Sequence, residues 1–249
     1  MEELERLLVA FEPTSLEEMD AVSLMDRCDN KYRIRESLLA GIIEFIYPHY
    51  KILTINQHRI FTYETLYYDT ADYTLYLQHH NKKLSRLKIR HRSYNETGTG
   101  FLEAKRKTNK GRTIKNRMAC NHLPDLQNAD IMAFLDKFFP TDQKQLIPAL
   151  WVYFKRFTLV SKVLNERVTI DTELKYAMND KEISMRDMVI VETKRNGKAE
   201  KSMMKTFLDA HKISEGSMSK YCLGTALLQD GIKKNNFKSF LSKINFTNQ

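Results

Sequence analysis

Cysteine is scarce in this chain. Cys28, Cys120 and Cys222 are scattered over 249 residues, with no CxxC pair and no Cys/His cluster. An odd and dispersed set excludes a disulfide framework and a structural zinc site. Reduced thiols in the cytoplasm are the simple reading. Long apolar runs are lacking too, and none approaches the roughly 20 residues a membrane-spanning helix needs. Residues 1–11 are acidic and amphipathic, without the basic start or apolar centre of a signal peptide. A soluble chain with no transmembrane segment is expected, which leaves room for a membrane-protein partner. Neither Asn109-Lys110-Gly111-Arg112 nor Asn196-Gly197-Lys198 has the GxxxxGK(S/T) spacing of a P-loop, so both are read as hairpin turns. Repeats, low-complexity linkers and composition breaks are absent. Residues 1–249 therefore read as one domain, with a helical lead-in over 1–24 and a loosely ordered tail over 233–249.

Positive charge is what the chain has in excess. Lys and Arg number 40 against 31 Asp and Glu, a formal net charge of +9. Nucleic acid, anionic lipid and polyphosphate all fit that field. Its distribution is more telling than its sum. Side chains on a strand alternate between two faces. In the strand-like run 85–94, Lys88, Arg90 and Arg92 share one face, and Leu87 and Ile89 the other. In 100–107, Phe101, Glu103, Lys105 and Lys107 oppose Leu102 and Ala104. The same parity puts Asp29, Lys31 and Arg33 together, and Lys115 with Arg117 opposite Ile114. It groups Arg156 with Phe154 and Thr158. Arg167 and Asp171 then oppose Val168 and Ile170, and Glu192 and Lys194 oppose Val191 and Thr193.

Further strands are expected at 50–55 and 59–69. The spacing of Leu38, Leu39, Ile42, Ile43 and Ile46 predicts an amphipathic helix ended by Pro48. Helices are also expected over 71–80, around Ile131 to Phe138, around Met203 to His211, and around Leu223 to Leu228. Asn95-Glu96-Thr97-Gly98 and the turn at Gly111 join three strands into antiparallel hairpins.

Alternating charge on one strand ordinarily means a solvated face. Six or seven strands sharing the pattern, each apolar on its other side, point instead to helices outside and charge inside. The expected fold is α+β: an eight-stranded antiparallel β-barrel, or tunnel, with helices packed on the outside. Isolated buried charges are costly. Such a lumen must hold water, ions or an anion. Arginine suits bidentate phosphate contacts, lysine supplies a point charge, and carboxylates among them would bind a divalent cation.

The ordered set Asp29-Asn30-Lys31-Tyr32, Tyr68-Asp69-Thr70, Lys88-Ile89-Arg90-His91-Arg92, Glu103-Ala104-Lys105, Glu166 to Asp171, Glu192-Thr193-Lys194 and Ser219-Lys220-Tyr221 resembles the VTC domain. That is the polyphosphate polymerase domain of the vacuolar transporter chaperone complex, a triphosphate tunnel metalloenzyme related to CYTH proteins. The resemblance runs over about 26–228. It implies that Lys31, Arg90, Arg92, Lys105, Lys115, Arg156, Arg167 and Lys220 are the catalytic phosphate ligands. Arg117, Lys194 and Ser219 would add substrate contacts, and Glu192 and Glu103 would face a metal, Mn2+ or Mg2+. Asp29-Asn30-Lys31 supplies one carboxylate where CYTH enzymes carry ExExK, which favours the VTC-like branch. The implied reaction moves the γ-phosphate of a nucleoside triphosphate onto polyphosphate, with no nucleic acid partner. Hydrolysis of an inorganic or nucleoside triphosphate, and a non-catalytic polyphosphate- or polyanion-binding module, are the alternatives. Oligomeric state is not legible in the sequence.

Overall fold

The two periodicities resolve into helices and antiparallel strands over residues 2–21, 27–139, 145–196, 202–216 and 218–241, those described by this computed structural model. The chain folds as two compact units. The first comprises Met1–Phe61, Phe154–Leu174 and Met185–Met218. The second comprises Thr62–Tyr153, Lys175–Ser184 and Ser219–Gln249.

In the first unit the strand order is β2 (Arg27–Ile34), β11 (Val189–Asn196), β9 (Glu166–Met178, here 166–174) and β8 (Leu146–Ser161, here 154–161). β11 runs antiparallel to both β2 and β9. Tyr32, Ile34, Val189, Val191, Val168, Ile170, Phe157 and Leu159 point to one face. Three helices cover it: α1 (Glu2–Val9), α3 (Leu39–Ile46) and α6 (Met203–Ala210). α3 forms because Leu39, Ile42, Ile43 and Ile46 make one stripe, all buried. Each such side chain contributes about 1.5–3 kcal/mol by leaving water. Ser202 caps α6 by accepting from the Lys205 amide at 3.2 Å. β1 (Glu12–Thr14) pairs in parallel with β3 (Tyr50–Leu53), which continues antiparallel onto β8.

The second unit orders β4 (Phe61–Thr70, from Thr62), β5 (Arg86–Tyr94), β6 (Thr99–Lys107) and β7 (Thr113–Ala119) as an antiparallel sheet. Gly98 and Gly111 turn the two hairpins with φ of 62° and 79°, values open to glycine. Leu66, Tyr68, Leu87, Ile89, Leu102 and Ala104 form the apolar face. α4 (Thr74–His80) and α5 (Ala129–Asp136) pack on it through Leu75, Ile131, Phe134 and Leu135. α7 (Lys220–Leu228) completes the unit with the short hairpin from the end of β9 into β10 (Lys181–Ser184).

The expected α+β class, with an antiparallel sheet and helices on its apolar side, is borne out. Details differ for physical reasons. β8 begins at Leu146, four residues before the expected start, because Pro148 hid its first turn of alternation. β10 was not anticipated: its Lys181-Glu182-Ile183-Ser184 has one apolar residue, although Asn179 at φ 51° marks the turn. The break at Pro13 in the lead-in holds β1, between α1 and α2 (Leu16–Ala21). Residues 235–241 carry a 3-10 turn and α8 (Lys238–Leu241). They are tied to α4, since the Asn236 amide donates to His80 Nε2 at 3.3 Å. The turn expected at Gly197, residues 22–24 and residues 242–249 lie outside the described residues.

Candidate functional site

Each unit turns a charged face away from its helices, and the register builds cross-strand rows on it. In the first unit Glu192 lies between Lys31 of β2 and Thr169 of β9. Lys194 lies between Asp29 and Arg167. The Lys31 and Lys194 ammonium groups stand 3.8 and 3.7 Å from the two Glu192 oxygens. Lys31 also reaches the Met218 carbonyl at 3.4 Å. Arg156 of β8 grips Asp171 of β9 side-on, Nε to Oδ1 at 2.5 Å and Nη2 to Oδ2 at 2.8 Å. Its guanidinium lies 5.2 Å from the centre of the Phe154 ring. Arg167 donates from Nη2 to the Met19 carbonyl at 2.8 Å, which fixes it to the end of α2.

In the second unit one row reads Tyr67, Arg90, Glu103, Arg117. Glu103 is 1% exposed. Its Oε2 accepts from Arg90 Nε at 2.7 Å and lies 2.6 Å from Nη2, while Lys115 Nζ sits 2.5 Å from Oε1. Burial alone would raise this carboxyl. The charges of Arg90, Arg92 and Lys115 outweigh burial and hold it well below the usual carboxylate range. Arg90 Nη1 donates to the Tyr67 hydroxyl at 3.0 Å. Burial raises the Tyr67 phenol, yet Arg90, Arg92 and Lys88 more than offset it and bring it down to about 8. The next row holds Thr65, Arg92 and Phe101; Arg92 donates to Thr65 Oγ1 at 3.4 Å. Arg117 lies 4.8 Å over the Phe101 ring. A third row sets Lys88, Lys105 and Lys115 side by side. Lys115 of that row pairs with Glu103.

Ser219 and Lys220 open α7. Ser219 Oγ accepts from the Cys222 amide at 3.3 Å, so this side chain acts as the helix cap. Lys220 is followed by Tyr221, whose ring stacks on Tyr67 at 4.9 Å and whose hydroxyl donates to Asp69. Asp69 also accepts from the amides of Thr70, Leu75 and Tyr76 at 2.7–2.8 Å. The Tyr68-Asp69-Thr70 and Ser219-Lys220-Tyr221 motifs thus meet, and Asp69 joins the start of α4 to α7. Sequence alone gives no site role to Tyr67, which carries the Arg90 contact, or to Thr169. Parity alone puts both on the charged faces; their partners emerge only with the register.

The structure therefore brings Lys31, Glu192 and Lys194 together on one face, and Arg90, Glu103, Lys115 and Arg117 on another. Among the described residues no three His, Cys, Asp or Glu side chains gather as a metal site. Glu192 is accompanied by two amines rather than further carboxylates. A divalent ion there would take most of its ligands from phosphate oxygens and water, a donor set that suits Mg2+-type ions. Glu192 fits that role. Glu103 is already engaged through both oxygens by Arg90 and Lys115, a setting that suits it to orienting those cations. No helix among the described residues is long and apolar enough to cross a membrane.

No curated protein matches the chain. Solved structures do. A candidate adenylyl cyclase from Hippeastrum, described as having a dominant triphosphatase activity, matches at 12% identity and a TM-score of 0.50, over 81% of this chain and 96% of its own. A candidate adenylate cyclase from Vibrio parahaemolyticus matches at 11% identity and a TM-score of 0.46, over 81% and 99%. A protein from Pyrococcus horikoshii matches at 14% identity and a TM-score of 0.45, over 80% and 98%. At these identities the likeness is one of fold. The family model of the VTC domain matches residues 26–229, nearly the whole described length. With the charged strands in the order that the resemblance requires, the chain belongs to the VTC domain family.

Proposed function

We propose that the chain is a metal-dependent phosphotransferase of polyphosphate-polymerase type, which moves the γ-phosphate of a nucleoside triphosphate onto polyphosphate. The observation that carries the reading is the cross-strand rows of cations, bridged by very few carboxylates, on strands whose other face is core. Phosphoryl transfer needs charge neutralisation and alignment more than a nucleophilic side chain. Arg90, held by Glu103 and Tyr67, and Arg156, held by Asp171, offer aimed guanidinium groups for phosphate oxygens. Arg92, Arg117, Arg167, Lys31, Lys105, Lys115, Lys194 and Lys220 add charge along the phosphates. Ser219 contributes as the cap that fixes Lys220. A Mn2+ or Mg2+ ion at Glu192 would bridge phosphate oxygens and neutralise charge as it develops.

Water in place of the phosphate acceptor makes the same machinery a triphosphatase. The activity described for the Hippeastrum protein keeps that reading beside the first. Incubating the protein with ATP and Mn2+ and resolving the products tests both. Long polyphosphate supports the polymerase, orthophosphate alone supports the triphosphatase, and no metal-dependent turnover leaves a polyanion-binding module.

A further inference from the structure

A buried hydroxyl is normally hydrogen-bonded, because water no longer satisfies it. Thr169 breaks that rule. It is 4% exposed, and its Oγ1 has no hydrogen-bond partner among the described residues. Valine has nearly the same shape, suits a strand equally well, and would remove the cost of a stranded polar atom. Burial and packing therefore do not account for a threonine at this position. Its neighbours do. Thr169 lies on the charged face of β9 with Arg167 and Asp171, directly across from Glu192. The Lys31 and Lys194 ammonium groups flank Glu192 at 3.8 and 3.7 Å. A hydroxyl beside two ammonium groups can donate to an anion's oxygen without adding charge.

We propose that the Thr169 hydroxyl is a further phosphate-binding group, donating to an oxygen of a tri- or polyphosphate held by Lys31 and Lys194. The proposal rests on reading that face as a phosphate site. It also explains why the hydroxyl is stranded in the free protein: its acceptor arrives with the ligand. β9 supplies its own control. Thr172 is equally buried, and its Oγ1 likewise lacks a partner. It falls on the other parity, with Val168 and Ile170 of the apolar face.

The test titrates tripolyphosphate calorimetrically into the full chain in EDTA, alongside thermal unfolding of the free protein. Thr169→Val should weaken binding about tenfold or more, the loss of a hydrogen bond to a charged group. The same variant, free of ligand, should unfold at or above the wild-type temperature. Thr169→Ser, which keeps the hydroxyl, and Thr172→Val should both bind as the wild type does. Wild-type binding with an unaffected Thr169→Val overturns the proposal. So does weakened binding in Thr169→Ser together with a lowered unfolding temperature in both Thr169 variants, which would make the residue structural. Absence of binding by the wild type itself overturns the phosphate reading of the face, and the role of Thr169 with it.

Discussion

Glu103→Gln keeps the size of a buried side chain and deletes the negative charge at the centre of the second unit's charged face. Arg90 and Lys115 lose their counter-ion, and Arg92 and Arg117 lose a neighbouring one. Removing one partner of a buried ion pair costs about 3–5 kcal/mol. The full figure does not apply here. The Lys115 side chain is 44% exposed and can be re-solvated, so its share is small. The Arg90 side chain is 18% exposed and keeps the Tyr67 hydroxyl. A net loss of about 2–4 kcal/mol follows. At this chain length that lowers the melting temperature by roughly 4–16 °C. The sign of the pH dependence is fixed by the depressed carboxyl. Its contribution is complete above the unfolded value of about 4.3 and is lost as pH falls through the lower folded value. The gap between wild type and Glu103→Gln should stay level near neutrality and close in acid. Tripolyphosphate should narrow it, because phosphate oxygens can replace the missing carboxylate. Thermal and urea unfolding in EDTA measure all of this. A Glu103→Gln protein that melts with the wild type refutes the counter-ion argument. A deficit that appears only when metal is added would return Glu103 to the metal.

Glu192→Gln should abolish Mn2+-dependent turnover while keeping the fold, since it preserves the side chain's size and removes only the charge that would hold a divalent ion; normal turnover at limiting metal would remove Glu192 from the mechanism. Arg90→Ala and Arg92→Ala should each weaken tripolyphosphate binding by roughly one to two decades in calorimetry, the loss of charge-assisted bonds to phosphate. Tyr67, brought down to about 8, should give a phenolate absorbance step near that pH that Tyr67→Phe lacks. Because unfolded tyrosine keeps its proton to about pH 10, the wild type should gain stability between about pH 8 and 10 relative to Tyr67→Phe.

Within each strand, the sequence was legible because alternation is local. The parity of Lys88, Arg90 and Arg92 against Leu87 and Ile89 follows from the pleat alone, and the structure keeps it. The stripe of Leu39, Ile42, Ile43 and Ile46 was equally plain. What stayed hidden lies between strands. Alternation fixes which face a residue takes but not its cross-strand neighbour, which depends on register. For Glu103, nothing in the sequence puts Arg90 and Lys115 on its two oxygens. Tyr67 shows no site role in the sequence because its pairing with Arg90 spans two strands. For Ser219, only the bend into α7 shows its Oγ capping that helix. β10 escaped because one apolar residue in four is too little pattern.

The carboxylates on these faces bear on how a phosphate could bind at all. A chain with a net charge of +9 must fold with its cations already gathered, before any ligand arrives. Glu103, Asp171 and Glu192 act as internal counter-ions for that state. On the proposed reading, a phosphate would enter by exchange, sharing or displacing a carboxylate, rather than by filling empty charge. Arginine and lysine differ in how they permit this. Arg90 spends Nε and Nη2 on Glu103 and Nη1 on Tyr67, so one N–H remains on each terminal nitrogen while the guanidinium stays aimed. A lysine ammonium has no such plane to preserve, and its flexible stem lets it swing from carboxylate to phosphate. The 2.5–2.8 Å contacts belong to the Arg90 and Arg156 clamps and to Lys115, whereas Lys31 and Lys194 stand off Glu192 at 3.8 and 3.7 Å. On the proposed phosphotransferase reading, the group of Lys31, Glu192 and Lys194 is where the first unit's face would take up a phosphate and a divalent ion.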